Sequence, residues 1–159
     1  MPAKPAYGAN SQIHRRLRPI LSLADFEVAA KRALPRPIFG YIAGAAEDGK
    51  SLAANRTAFD DVKFRPKVLV DVSGRSQATE IFGQRYASPF GVAPVGISAI
   101  AAYRGDVVLA QTAREERIPA IMSGTSLIPM EDVHAAAPGT WFQAYLPGDT
   151  ARRDALIER

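Results

Sequence analysis

The sequence predicts an α/β fold built on a parallel sheet, and three observations carry that prediction. Beyond Pro89, short apolar runs alternate with stretches of helical periodicity. The first two runs are followed by turn residues such as Pro94, Gly96 and Gly124, and Asp149 or Thr150 caps the last helical stretch. Strands interleaved with helices in this way imply βαβ units. The handedness of such crossovers leaves two architectures open, a doubly wound sheet or a (β/α)8 barrel.

The elements follow in order. Residues 1–21 show no periodicity and are expected to form an arm. Ser22 reads as an N-cap with Asp25 in the capping-box position. Leu23, Phe26, Ala30, Ala33 and Leu34 then repeat at helical spacing until Pro35 stops the pattern. Pro37 suits the first turn of a second helix carrying Ile38, Tyr41, Ile42 and Ala45. A third helix is expected from about Ser51 to Phe59. Val62-Lys63-Phe64 and Val68-Leu69-Val70 are β-type runs around Pro66. Thr79 to Phe82 and Arg85 to Ala87 read as a hairpin turning at Gly83-Gln84. We expect residues 22–88 to cap one end of the domain. Residues 89–159 then supply three βα units: strands at Phe90–Ala93, Pro119–Met122 and Trp141–Tyr145, and helices at Asp106–Arg117, near Met130–Ala136, and from Ala151 onward behind Asp149 or Thr150. In the first of these helices Val107, Val108, Leu109 and Ala113 are available to the core. The last helix runs to Arg159 with no stop signal, and three strands leave a long unpaired edge. Both features read as a truncated or split chain.

Composition narrows the function classes. At 159 residues, with 47% hydrophobic and 23% charged residues, the chain has the make-up of an ordinary globular domain. There are no cysteines, which excludes disulfides and thiolate metal sites. The first ten residues hold two prolines and no apolar run, so no signal peptide is predicted. The apolar stretch Gly91–Ala102 is too short to span a bilayer and contains Pro94 and Gly96. A cytoplasmic chain is expected. The net charge of +4 is clustered only at His14-Arg15-Arg16-Leu17-Arg18, which reads as a solvated arm or an oligomer contact rather than a nucleic-acid site.

In parallel α/β folds, ligands sit at the carboxyl ends of the strands. That rule selects Ala93-Pro94-Val95-Gly96, Ser123-Gly124-Thr125-Ser126, and the pair Gln143 and Tyr145, which share a strand face. The first turn offers backbone and small side chains to a flat ligand, or is simply a βα turn. Ser123 can bond a ring edge or cap the next helix. Gln143 in an apolar strand must find partners for its amide. Tyr145 can donate to a substrate oxygen or serve as a core aromatic with a wet tip.

These residues belong to a recognisable pattern. Phe39-Gly40-Tyr41-Ile42-Ala43-Gly44-Ala45-Ala46-Glu47-Asp48, Ser51-Leu52 and Asn55-Arg56-Thr57-Ala58-Phe59 resemble the N-terminal signature of the FMN-dependent α-hydroxy-acid oxidases and dehydrogenases, the family of glycolate oxidase, L-lactate dehydrogenase and mandelate dehydrogenase. Phe64 to Leu69, the Ala93–Gly96 turn, Ser123 and Trp141 to Tyr145 continue the match, in order, from about Leu23 to Arg159. The resemblance implies the N-terminal part of a (β/α)8 TIM barrel with FMN at its C-terminal rim. It implies that the main chain at Ala93, Pro94, Val95 and Gly96 lies beside the flavin, and that Ser123 and Gln143 bond the ring system. Tyr41 would hold the substrate carboxylate, and Tyr145, as a catalytic residue, would contact the α-oxygen. Thr125 stands where several members carry a larger aromatic, which enlarges the pocket and argues against glycolate. Ala45 replaces a glycine found in many relatives.

The histidine base, carboxylate-binding arginine and flavin-side lysine of that family come from later strands, and neither His14 nor His134 matches the base. The expectation is a complete protein that oxidises an α-hydroxy acid, while these residues alone are inactive and hold flavin weakly. A homo-oligomer or a second chain completing the barrel is expected as partner. Two rival readings are a non-redox FMN barrel isomerase and a non-catalytic fragment that binds a partner chain.

Overall fold

The computed structural model describes residues 17–159, so most of the expected arm, including His14, Arg15 and Arg16 of the basic cluster, lies outside the described residues. The described chain divides into two compact units, the first ending at Val62 and the second running Lys63–Arg159.

The first unit contains α1 (Leu23–Ala33), α2 (Arg36–Ala43), α3 (Lys50–Thr57) and a 3-10 turn at Ala58–Asp61. Local chemistry explains each boundary. The Asp25 carboxylate accepts the backbone N–H groups of Leu21 (2.8 Å) and Ser22 (2.7 Å) and the Ser22 hydroxyl (3.1 Å). Those donors would otherwise be unpaired at the helix start. They also favour the charged carboxylate, holding its pKa below the ordinary value. Pro37 sits in the first turn of α2, as its fixed φ allows. That helix ends at Ala43, and Ala45, expected inside it, lies beyond, because Gly44 turns the backbone to an extended conformation. Glu47 (φ 46°) and Gly49 (φ 69°) then bring the chain into α3. Arg56 pairs with Glu27 at 3.2 Å across α3 and α1, both ends solvated. No described residue of this unit is buried.

The second unit opens on an extended segment. The two β-type runs around Pro66 form no strand: Phe64, Val68 and Leu69 are exposed and find no ladder partner. β-propensity without a neighbouring strand makes no sheet. The hairpin does form, from antiparallel β1 (Thr79–Ile81) and β2 (Gln84–Tyr86). Its turn is Phe82-Gly83, one residue before the expected position, with both residues at positive φ (51° and 74°). This is the sense of turn that matches strand twist. The Phe82 and Tyr86 rings meet Trp141 edge-on, at centroid distances of 5.4 and 6.3 Å. The hairpin therefore packs on the start of the last strand and forms a sheet of its own.

The parallel sheet is narrow. Val92 bridges Ala120, and β3 (Ile121–Met122) pairs with β4 (Trp141–Phe142) in the register Ile121↔Trp141 and Met122↔Phe142. Among the described residues the three segments neighbour one another in chain order. Regular pairing is shorter than the expected runs: β3 and β4 pair over two residues each, and the Val92 segment contributes a single bridge. Behind the sheet, α4 (Gly105–Glu115) and α5 (Met130–Ala136) enclose Val107, Ala110, Met122, Val133 and Ala137. α4 presents Val107, Ala110 and Ala113 at three-residue spacing, so the expected core residue Val108 is instead exposed. The last helix, α6 (Thr150–Glu158), starts where Asp149 accepts the Arg152 N–H at 2.9 Å. No helix among the described residues is long and apolar enough to cross a membrane.

Candidate functional site

Parallel pairing puts the carboxyl ends of the three segments side by side. Ala93–Gly96 follows Val92, Ser123–Thr125 follows β3, and Gln143–Tyr145 follows β4. The tips are in close contact. Ile97 N–H donates to the Thr125 carbonyl across the first two at 3.3 Å. A Cβ added at Gly96 would lie 2.6 Å from Thr125 Oγ1, and one added at Gly124 only 2.5 Å from the Gln143 carbonyl and 2.9 Å from the Tyr145 ring. Glycine is what allows this spacing.

Four of the residues selected from sequence form one hydrogen-bonded chain. Ser123 Oγ lies 3.2 Å from Gln143 Oε1, 3.0 Å from Thr125 Oγ1 and 3.2 Å from the Thr125 N–H. Gln143 Nε2 lies 3.1 Å from the Tyr145 hydroxyl. The donor inventory fixes the direction. Gln143 Oε1 can only accept, so the single Ser123 proton goes to it. Thr125 must then donate to Ser123 through both its hydroxyl and its N–H. Gln143 donates its amide proton to Tyr145, which leaves the Tyr145 O–H to point at an external acceptor. The chain runs from Thr125 through Ser123, 3% exposed, to Tyr145, 61% exposed. A buried anchor thus orients a solvent-facing donor.

Of the two roles open to Ser123, the helix cap falls away, since α5 starts behind Pro129. Ala93, Val95 and Gly96 are exposed and Pro94 is half-buried, leaving a face of small groups and main chain beside the polar chain. Thr125, selected for its small size, also contributes its hydroxyl. Tyr41 lies on α2 in the first unit, with its side chain exposed. His134 is exposed in the last turn of α5. No cluster of potential metal ligands occurs among the described residues.

Sequence reasoning missed one buried group. The Asp106 carboxylate, 6% exposed, accepts hydroxyl protons from Ser98 at 2.8 Å and Ser126 at 2.7 Å. An acid in the first turn of a helix ordinarily reads as a solvated dipole partner, and nothing local to Asp106 signals burial.

Comparison with known proteins places this geometry in context. Residues 30–159 match the FMN-dependent dehydrogenase family, in keeping with the resemblance seen from about Leu23 onward. The chain is 38% identical over 141 residues to an L-lactate dehydrogenase of Vibrio parahaemolyticus, covering 88% of this chain and 37% of that protein. It is 36% identical to a 4-hydroxymandelate oxidase of Amycolatopsis orientalis, covering 87% and 39%. A crystal structure of mandelate oxidase superposes with a TM-score of 0.80 at 36% identity, covering 87% of this chain and 40% of that one. The chain thus spans well under half the length of the relatives it matches.

Proposed function

Since the chain belongs to the FMN-dependent dehydrogenase family, we propose that it supplies one side of the active site of a (β/α)8 barrel that oxidises a lactate- or mandelate-like α-hydroxy acid to the α-keto acid. The observation that carries this reading is the directed chain from Thr125 through Ser123 and Gln143 to Tyr145 at three adjacent strand tips.

The residues present fit FMN. Small side chains and exposed main chain at Ala93–Gly96 suit the face of a planar ring. Ser123 and Gln143 supply the hydroxyl and amide needed at its polar edge. When bound, FMN supplies the acceptor for the two electrons that leave the α-carbon. The protein's own part is orientation and charge placement. The free Tyr145 O–H donates to the α-oxygen of the substrate, a phenol stabilising an anionic oxygen without itself changing protonation. Thr125 leaves room for the substrate side chain, which favours lactate- or mandelate-like acids over a glycolate-sized pocket. The phosphate loops of such barrels follow strands seven and eight, so we expect the 159-residue chain alone to hold FMN weakly.

The test combines the chain with a segment supplying strands four to eight of the mandelate oxidase relative. FMN absorbance is followed anaerobically as lactate or mandelate is added. Bleaching with keto-acid formation is expected, and Tyr145→Phe should slow it about 10–100-fold. Bleaching by no α-hydroxy acid, with FMN bound, would overturn the reading. It would favour a barrel that uses flavin without redox turnover.

A further inference from the structure

We propose that Asp106 is a positioning residue, whose buried carboxylate sets the spacing between the Ala93–Gly96 turn and the Ser123–Thr125 turn; its bearing on FMN rests on the reading above. Both hydroxyls that reach Asp106 arrive at the same oxygen, Oδ2, and they come from different loops. Ser98 lies in the loop after Val92, and Ser126 in the loop after β3. Each is within two residues of a group at the candidate site, Gly96 or Thr125.

A carboxylate this buried is costly unless its oxygens accept hydrogen bonds, so the two hydroxyls and the carboxylate hold one another in place. Its position in the first turn of α4 adds the favourable end of the helix dipole. The backbone beside it needs such a hold. Ile97, directly before Ser98, sits at φ 46°, a conformation that costs a β-branched residue energy unless its surroundings impose it. The Ile97 N–H in turn reaches the Thr125 carbonyl, closing a loop-to-loop clasp around the carboxylate. Without Oδ2 the two loops lose their shared anchor, and the face offered to a planar ring loses its fixed width.

Hydrogen exchange on the 159-residue chain tests the clasp. Asp106→Ala should speed exchange of the Ile97 and Ser126 amides about tenfold while the Ala137 amide in the α5 cap stays protected. Asp106→Asn should restore protection, because an amide oxygen can accept both hydroxyls. Unchanged exchange at Ile97 in Asp106→Ala would overturn the proposal. If that variant loses protection throughout the second unit, Ser126→Ala decides. Faster exchange confined to the clasp supports positioning, and a uniform or absent effect overturns it. In the completed barrel, Asp106→Ala should weaken FMN binding about tenfold and shift the visible flavin bands. Identical affinity and spectrum would overturn the link to the site. Failure of the unsubstituted barrel to bind FMN would instead overturn the flavin reading, leaving the exchange result to judge the clasp.

Discussion

The two units of this chain make helices equally well and use them differently. In the first unit α1, α2 and α3 have well-defined starts and stops, yet every described side chain there keeps some contact with solvent. Leu23 is 86% exposed and Phe59 78%. In the second unit, helices of similar length, α4 and α5, enclose Val107, Ala110, Met122, Val133 and Ala137. The difference is the sheet. A helix needs only its own residues to close its hydrogen bonds, but it stabilises a fold only when an apolar face meets another layer. Caps and prolines define an element, and packing decides whether removing a side chain matters.

That contrast can be broken by mutation. The largest effect is expected at Met122, where Met122→Ala should destabilise the second unit by about 2–5 kcal/mol, read from urea unfolding followed by circular dichroism. The matching truncation Leu23→Ala should change stability by less than about 0.5 kcal/mol. Similar costs at both positions would mean that Leu23 is covered in solution. A smaller effect is expected from Gly124→Ala, whose new Cβ meets a carbonyl that cannot step aside. It should cost about 1–3 kcal/mol and disturb the Tyr145 ring, visible in near-ultraviolet dichroism. A silent Gly124→Ala would show that the tips are looser than their spacing implies.

The smallest effect concerns charge in the first unit. Asp25 has its pKa lowered by the Leu21 and Ser22 N–H groups and the Ser22 hydroxyl. A depressed folded-state value means that its contribution is complete above the unfolded carboxylate range and disappears as pH falls through the lowered value. A slight loss of helical signal below about pH 4 is expected. It should be absent in Asp25→Ala, which starts from the weakened state; a loss of equal size in both would place its origin elsewhere.

Much of the site was legible because strand tips are marked by their own residues. Ser123, Thr125, Gln143 and Tyr145 were singled out from position alone, and the structure joins them in one hydrogen-bonded chain. Asp106 escaped because its two partners come from residues 8 and 20 positions away. The β-type runs around Pro66 failed for the complementary reason, since propensity promised strands and no partner strand lies among the described residues. The hairpin turn moved by one residue because Phe82 takes a left-handed conformation that its residue type disfavours, with its ring against Trp141.

By itself the sequence determined where α1, α2 and α6 begin, since capping residues and prolines act within one turn of the chain. It also determined which residues stand at the strand tips, because apolar runs and turn residues alternate along it. Only the tertiary structure decided that Val108 faces out while Ala110 faces in, that Asp106 is buried, and which way the protons run from Thr125 to Tyr145. Those outcomes depend on groups that meet across the chain, and no local pattern encodes a distance between distant residues.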